Sequence, residues 1–86
     1  MQTVTFNSGV KLDVYWINPI NGGAGGYMLE TAEAPFAMLA EVLENASAMV
    51  WTDEEGQQHK GVYANIRHIT RSYNRIQIIL NKGEPA

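Results

Sequence analysis

A chain of 86 residues falls below the usual domain size of about 100–150, so one domain is expected over residues 1–81, with a frayed tail at 82–86. Hydrophobic residues make up 45% and charged residues 17%, which excludes a disordered tail, and the lack of cysteine excludes a disulfide scaffold or a thiolate metal site. The net charge of −3 argues against a generic nucleic-acid coat, no apolar run approaches the roughly 18–20 residues of a membrane helix, and the opening MQTVTF predicts no signal peptide.

Val4 and Phe6 alternate with Thr3 and Thr5, and Val10, Leu12, Val14 and Trp16 alternate with Lys11, Asp13 and Tyr15. A period of two marks strands with one buried face. Asn7-Ser8-Gly9 between them suits a three-residue hairpin loop with Gly9 left-handed. That register pairs Val4 with Leu12 and Phe6 with Val10, all four on one buried face. With Trp16 on the core face beside Val14, Tyr15 and Ile17 point outward. Residues 18–26 (NPINGGAGG) combine a missing amide donor with glycine freedom and read as a mobile loop. Tyr27–Thr31 reads as a third strand. Pro35 suits the first turn of a helix, in which Phe36, Leu39, Ala40 and Leu43 share one face. The helix should end near Asn45–Ser47, where side chains compete for the backbone.

Residues 48–52 return to strand character, and Asp53-Glu54-Glu55-Gly56 has the chemistry of a tight turn. Residues 62–71 and 75–80 read as strands joined by a two-residue turn at Tyr73-Asn74, which pairs Ile69 with Ile78. Ile66 reaches the same face only through a bulge or a twist. The predicted order is β-β-β-α-β-β-β. It implies an α+β fold, a mostly antiparallel sheet of five or six strands with one helix packed on it. A small, curved, barrel-like sheet is the alternative.

Charge segregates along the chain. From Glu30 to Glu55 there are seven acids (Glu30, Glu33, Glu41, Glu44, Asp53, Glu54, Glu55) and no Lys or Arg. From Lys60 to Lys82 there are five bases (Lys60, Arg67, Arg71, Arg75, Lys82) and no acid. Opposed patches would steer a partner or dock one copy onto another. Adjacent halves would instead neutralise each other as surface pairs worth ~0–1 kcal/mol each. Arg67 and Arg71 share strand parity, with Tyr63, Tyr73, His59 and His68 nearby. Interleaved Arg and aromatic groups suit single-stranded nucleic acid, although no RNA-recognition motif accompanies them.

Known chemical motifs are absent. The glycine run is followed by neither Lys-Ser/Thr nor a helix, so it matches neither phosphate-loop nor dinucleotide patterns. His59 and His68 lack metal-ligand spacing. Ser8, Ser47 and Ser72 lie outside any G-x-S-x-G elbow. No catalytic residue, cofactor or metal is therefore expected. The expectation is a non-catalytic protein–protein interaction or assembly module, homo-oligomeric, cytoplasmic and off the membrane. Such a chain is compatible with an accessory or structural subunit of a bacterium or phage. Candidate contact residues are Tyr15, Ile17, Lys60, Arg67, Arg71, Tyr73 and Arg75. The alternative is a nucleic-acid-binding module using the basic segment. A second alternative is a small enzyme or ligand-binding protein with an inter-subunit site.

Overall fold

The N-terminal alternation folds as the turn chemistry dictates. In the computed structural model, which describes residues 2–32 and 34–84, β1 (Gln2–Phe6) and β2 (Lys11–Val14) form an antiparallel hairpin. Val4 pairs with Leu12, the Phe6 amide donates to the Val10 carbonyl (2.8 Å), and Gly9 has φ 94°. Val4 and Phe6 are buried and Leu12 packs against the core. Val10 departs from expectation at 42% exposed, because it stands at the turn on the sheet's edge with no strand beyond it.

The chain then bends at Tyr15 and continues as β3 (Trp16–Pro19), followed by a 3-10 turn over Ile20–Gly23 and β4 (Tyr27–Ala32). After α1 (Phe36–Glu44) come β5 (Ala48–Thr52), β6 (Gln58–Ser72) and β7 (Arg75–Lys82). The result is α+β, one helix against a seven-stranded antiparallel sheet in the order β2-β1-β5-β6-β7-β4-β3. The strand beyond the expected five or six is β3, which takes Trp16 from the end of the second alternating run and Asn18 and Pro19 from the segment read as a loop, and pairs with β4. The sheet is curled, but its ladder does not close.

β6 is central to the curl. Fifteen residues of straight strand would span roughly 50 Å at about 3.3 Å each, whereas the longest extent of the molecule is 31 Å. The strand bends instead, with register shifts against β7 that leave Ala64 and Arg67 as extra residues. Those bulges bring Ile66 and Ile69 opposite Leu80 and Ile78, on the face that packs against the core. The curl faces Val4, Phe6, Met49, Trp51 and Tyr63 toward Ile17, Tyr27, Leu29, Ile76, Ile78 and Leu80, all buried. Phe6 meets Tyr63 edge-on at 6.4 Å and Tyr27 meets Trp51 edge-on at 6.0 Å, distances usual for aromatic pairs.

α1 buries Leu39 and Leu43, and ends at Asn45, whose amide donates to the Glu41 carbonyl (3.0 Å). Phe36 begins the apolar stripe yet stays 45% exposed, so the packed face narrows to Leu39 and Leu43. The buried Tyr63 hydroxyl donates to the Leu43 carbonyl (2.6 Å), satisfying one of the unpaired carbonyls at the helix end. The tail is partly tied down. Lys82 belongs to β7 and the Gly83 amide donates to the Val62 carbonyl (2.9 Å), while Pro85 and Ala86 lie outside the described residues.

The glycine segment is folded rather than loose. Amides of Ala24, Gly25 and Gly26 donate to carbonyls of Asn21, Ile20 and Gly23, and the Ile20 amide returns to Gly26. Gly26 has φ 94°, and a Cβ there would lie 2.0 Å from the Leu80 carbonyl oxygen. Gly22 also has positive φ (68°), but a Cβ there meets open space. Gly22→Ala should therefore cost about 1 kcal/mol, the left-handed penalty alone, and Gly26→Ala distinctly more. Denaturant unfolding of the two variants checks the ranking.

Burial pushes the Tyr63 hydroxyl pKa up to about 12. The fold holds the neutral phenol, so this contribution is intact below pH ~10, where the unfolded tyrosine begins to ionise. It is lost as pH rises from there toward 12. Unfolding free energy should fall over that range in the parent. Tyr63→Phe should flatten the fall and cost about 0.5–1.5 kcal/mol at neutral pH for the lost hydrogen bond.

Candidate interaction surfaces

Tyr15 sits at the bend between β2 and β3, half-buried, and its amide donates to the Glu30 carbonyl (2.7 Å). The Arg75 guanidinium lies 4.3 Å from the centre of its ring. Arg75 Nη1 is also 3.7 Å from Glu30 Oε1, and Trp16 Nε1 donates to Glu30 Oε2 (2.6 Å). Tyr15, Trp16, Glu30 and Arg75 thus form one cluster across β3, β4 and β7. At its half-exposed position the cation–aromatic contact is worth about 0.5–1 kcal/mol and the ion pair less. Ile17 was expected outward beside Tyr15. It is 5% exposed and packs in the core, because the bend at Tyr15 breaks the alternation.

The basic segment does not form one face. Arg67 is a bulge residue, and its Nε donates to Asn81 Oδ1 (2.6 Å) and its Nη2 to the Gly25 carbonyl (3.2 Å). Asn81 Nδ2 in turn donates to Asn65 Oδ1 (2.6 Å). Arg71 stands opposite Ile76, whose side chain is in the core, whereas Arg75 and Asn81 have the opposite parity. The equal parity read for Arg67 and Arg71 therefore fails, since the extra residue at Arg67 inverts the alternation between them. Lys60 lies opposite Val50 on β5, exposed, on the other side of the strand from Gly61, which lies under the Tyr27 ring.

Tyr73 and Asn74 make the two-residue turn of the β6–β7 hairpin with φ 49° and 65°, and Ile69 pairs with Ile78 as expected. Asn tolerates this left-handed conformation, while for tyrosine it costs on the order of 1–2 kcal/mol. No burial offsets that cost, because Tyr73 is 97% exposed. All of residues 71–75, Arg-Ser-Tyr-Asn-Arg, are exposed.

At the other end of β6 lies an acidic mouth that local pattern reading missed. Asp53 Oδ1 accepts from the amides of Glu55 and Gln57 (both 2.9 Å), which fixes the turn, and Asp53 Oδ2 meets His59 Nε2 at 2.7 Å. The His59 ring stacks on Trp51, 5.5 Å between centres. The bond to His59, helped by the Gln57 amide, holds the Asp53 carboxyl below the usual range. Asp53, Glu54 and Glu55 line a cleft of about 420 Å³ with Gln2, Trp16, Ile17 and Asn18, and a cleft of about 410 Å³ adjoins it across Gln2. Gln2 Oε1 is buried and has no donor among the described residues. The only early signal was the DEEG turn. Its approach to β3 and Gln2 is tertiary.

Among the described residues, no group of three histidine or carboxylate side chains converges to hold a metal, and no helix is long and apolar enough to cross a membrane. Glu33, one of the seven acids, lies outside the described residues. Comparison with protein-family models, curated proteins and solved structures finds no match for this chain.

The Asp53–His59 contact makes a direct prediction. A carboxyl-detected NMR titration should find Asp53 protonating at lower pH than an ordinary aspartate, and His59→Ala should move it back upward. An unmoved Asp53 in that variant would remove the histidine as the cause.

Proposed function

We propose that the chain is a non-catalytic protein–protein interaction or assembly module that works as a homo-oligomer, with the β6–β7 hairpin tip as its contact element. Tyr73 carries the reading. A large aromatic residue occupies a left-handed position that asparagine or glycine would fill more cheaply, and it returns nothing to the core. Tyrosine is among the residues most enriched at binding hot spots, since it brings much contact area with few rotors. Arg71 and Arg75 flank it, and arginine is likewise enriched there.

Nucleic-acid contact is the second reading, because Tyr73 between two arginines could stack a base. Against it stand the net charge of −3 and the separation of Arg67 from Arg71 onto opposite faces.

Light scattering from low to high micromolar concentration tests the first reading. The parent should associate, and Tyr73→Asn should lose association while gaining up to about 1 kcal/mol in stability from relief of the backbone. Association unchanged in Tyr73→Asn would sink the assignment. Micromolar binding of a single-stranded oligonucleotide near physiological salt, lost in the same variant, would promote the second reading.

A further inference from the structure

Building on the assembly reading, we infer that the partner of the Tyr73 tip is the acidic mouth of a second copy, in a head-to-tail contact. The mouth precedes β6 in the chain, before Gln58, and the tip follows it, after Ser72. The curl brings Arg75 of the tip to Glu30, which also holds Trp16 of the mouth's wall. A tyrosine that is 97% exposed does not fill the mouth of its own chain.

The chemistry of the two surfaces is complementary. The mouth offers the exposed carboxylates of Glu54 and Glu55, with Asp53 beside them already engaged by His59. It has the half-buried Trp16 in its wall and a buried acceptor, Gln2 Oε1, without a donor among the described residues. The tip offers a phenol ring to lie against Trp16 and, beside it, the guanidinium group of Arg75. Arg75 keeps 52% of its side chain exposed while it spans Tyr15 and Glu30, so it can turn toward a second carboxylate without leaving its own cluster. A cleft of about 420 Å³ exceeds the volume of one phenol ring and falls within the roughly 300–1,000 Å³ of ligand pockets.

This contact joins two different patches, so each copy retains one free tip and one free mouth. Growth closes into a ring if the rotation between copies allows it, and otherwise continues as a filament. Opposed charges also make the contact salt-sensitive.

Two variants and their mixture test it. Tyr73→Asn removes the tip, and Glu54→Lys/Glu55→Lys reverses the mouth. Each alone should stay monomeric where the parent assembles, with affinity lowered roughly tenfold or more. Mixed in equal amounts, they should give a species of twice the monomer mass and nothing larger, since one intact tip and one intact mouth remain. Raising salt from about 0.05 to 0.5 M should weaken parent assembly several-fold. Glu54→Gln/Glu55→Gln, milder in its charge change, should weaken assembly in the same direction if the reversal variant fails to fold. Assembly of the mouth variants like the parent, or a mixture that stays monomeric, overturns the head-to-tail contact. Loss of assembly in Tyr73→Asn alone would still leave the module reading standing, whereas a parent that is monomeric at every concentration removes both.

Discussion

The bend at Tyr15 is the constraint on which the rest of the molecule depends. β2 and β3 are consecutive in the chain, yet they form opposite edges of a seven-stranded sheet. One residue separates them, so the sheet must curl until its edges meet. Two bonds record the meeting, the Tyr15 amide to the Glu30 carbonyl (2.7 Å) and Thr31 Oγ1 to the Asp13 carbonyl (2.9 Å). A flat sheet of this length would need helices over a whole face, and the described residues form one short α-helix. Curling lets one sheet supply both layers of its own core. Tyr27 of β4 then reaches Trp51 of β5, although β7 and β6 stand between those strands in the ladder. Gly61 is the clearance for that reach, since a Cβ there would lie 2.7 Å from the Tyr27 ring.

The same curl explains where the surface chemistry goes. β6 belongs to both halves of the sheet, pairing with β5 over its first part and β7 over its last. One end of it carries the carboxylates of the β5–β6 turn and the other the arginines of the β6–β7 turn. The two charge blocks of the sequence lie on neighbouring strands, β5 beside β6 and β4 beside β7, and meet at Glu30 and Arg75 in a pair 3.7 Å apart. Partly exposed pairs of this kind contribute little to stability.

Local pattern was a good guide where neighbouring residues decide the outcome. The Val4–Leu12 and Ile69–Ile78 registers follow from alternation and turn chemistry, and the helix position follows from Leu39 and Leu43. It misled wherever one residue interrupts the count. The bend at Tyr15 turned Ile17 inward, and the bulge at Arg67 put Arg71 on the other face. The glycine segment read as mobile because glycine freedom hides its internal backbone bonds, and because its other contacts are remote, Gly26 against the Leu80 carbonyl and Arg67 bonded to Gly25. The acidic mouth was out of reach for the same reason. Gln2, Trp16 and Glu54 are remote in sequence and meet only after the sheet has curled.

The bend also sets the character of the sheet's two edges. An antiparallel sheet is an open template at each edge, and a long, flat edge invites another strand to add to it. Here both edges come from a single short segment, β2 and β3, four residues each, set at an angle to one another by Tyr15. Lys11 and Asp13 put charge on the first, and Pro19 removes an amide donor from the second. An incoming strand would gain few hydrogen bonds before it met the kink. The bend that lets one sheet form both layers of the core thereby also keeps its two edges short, kinked and poor as templates for an added strand.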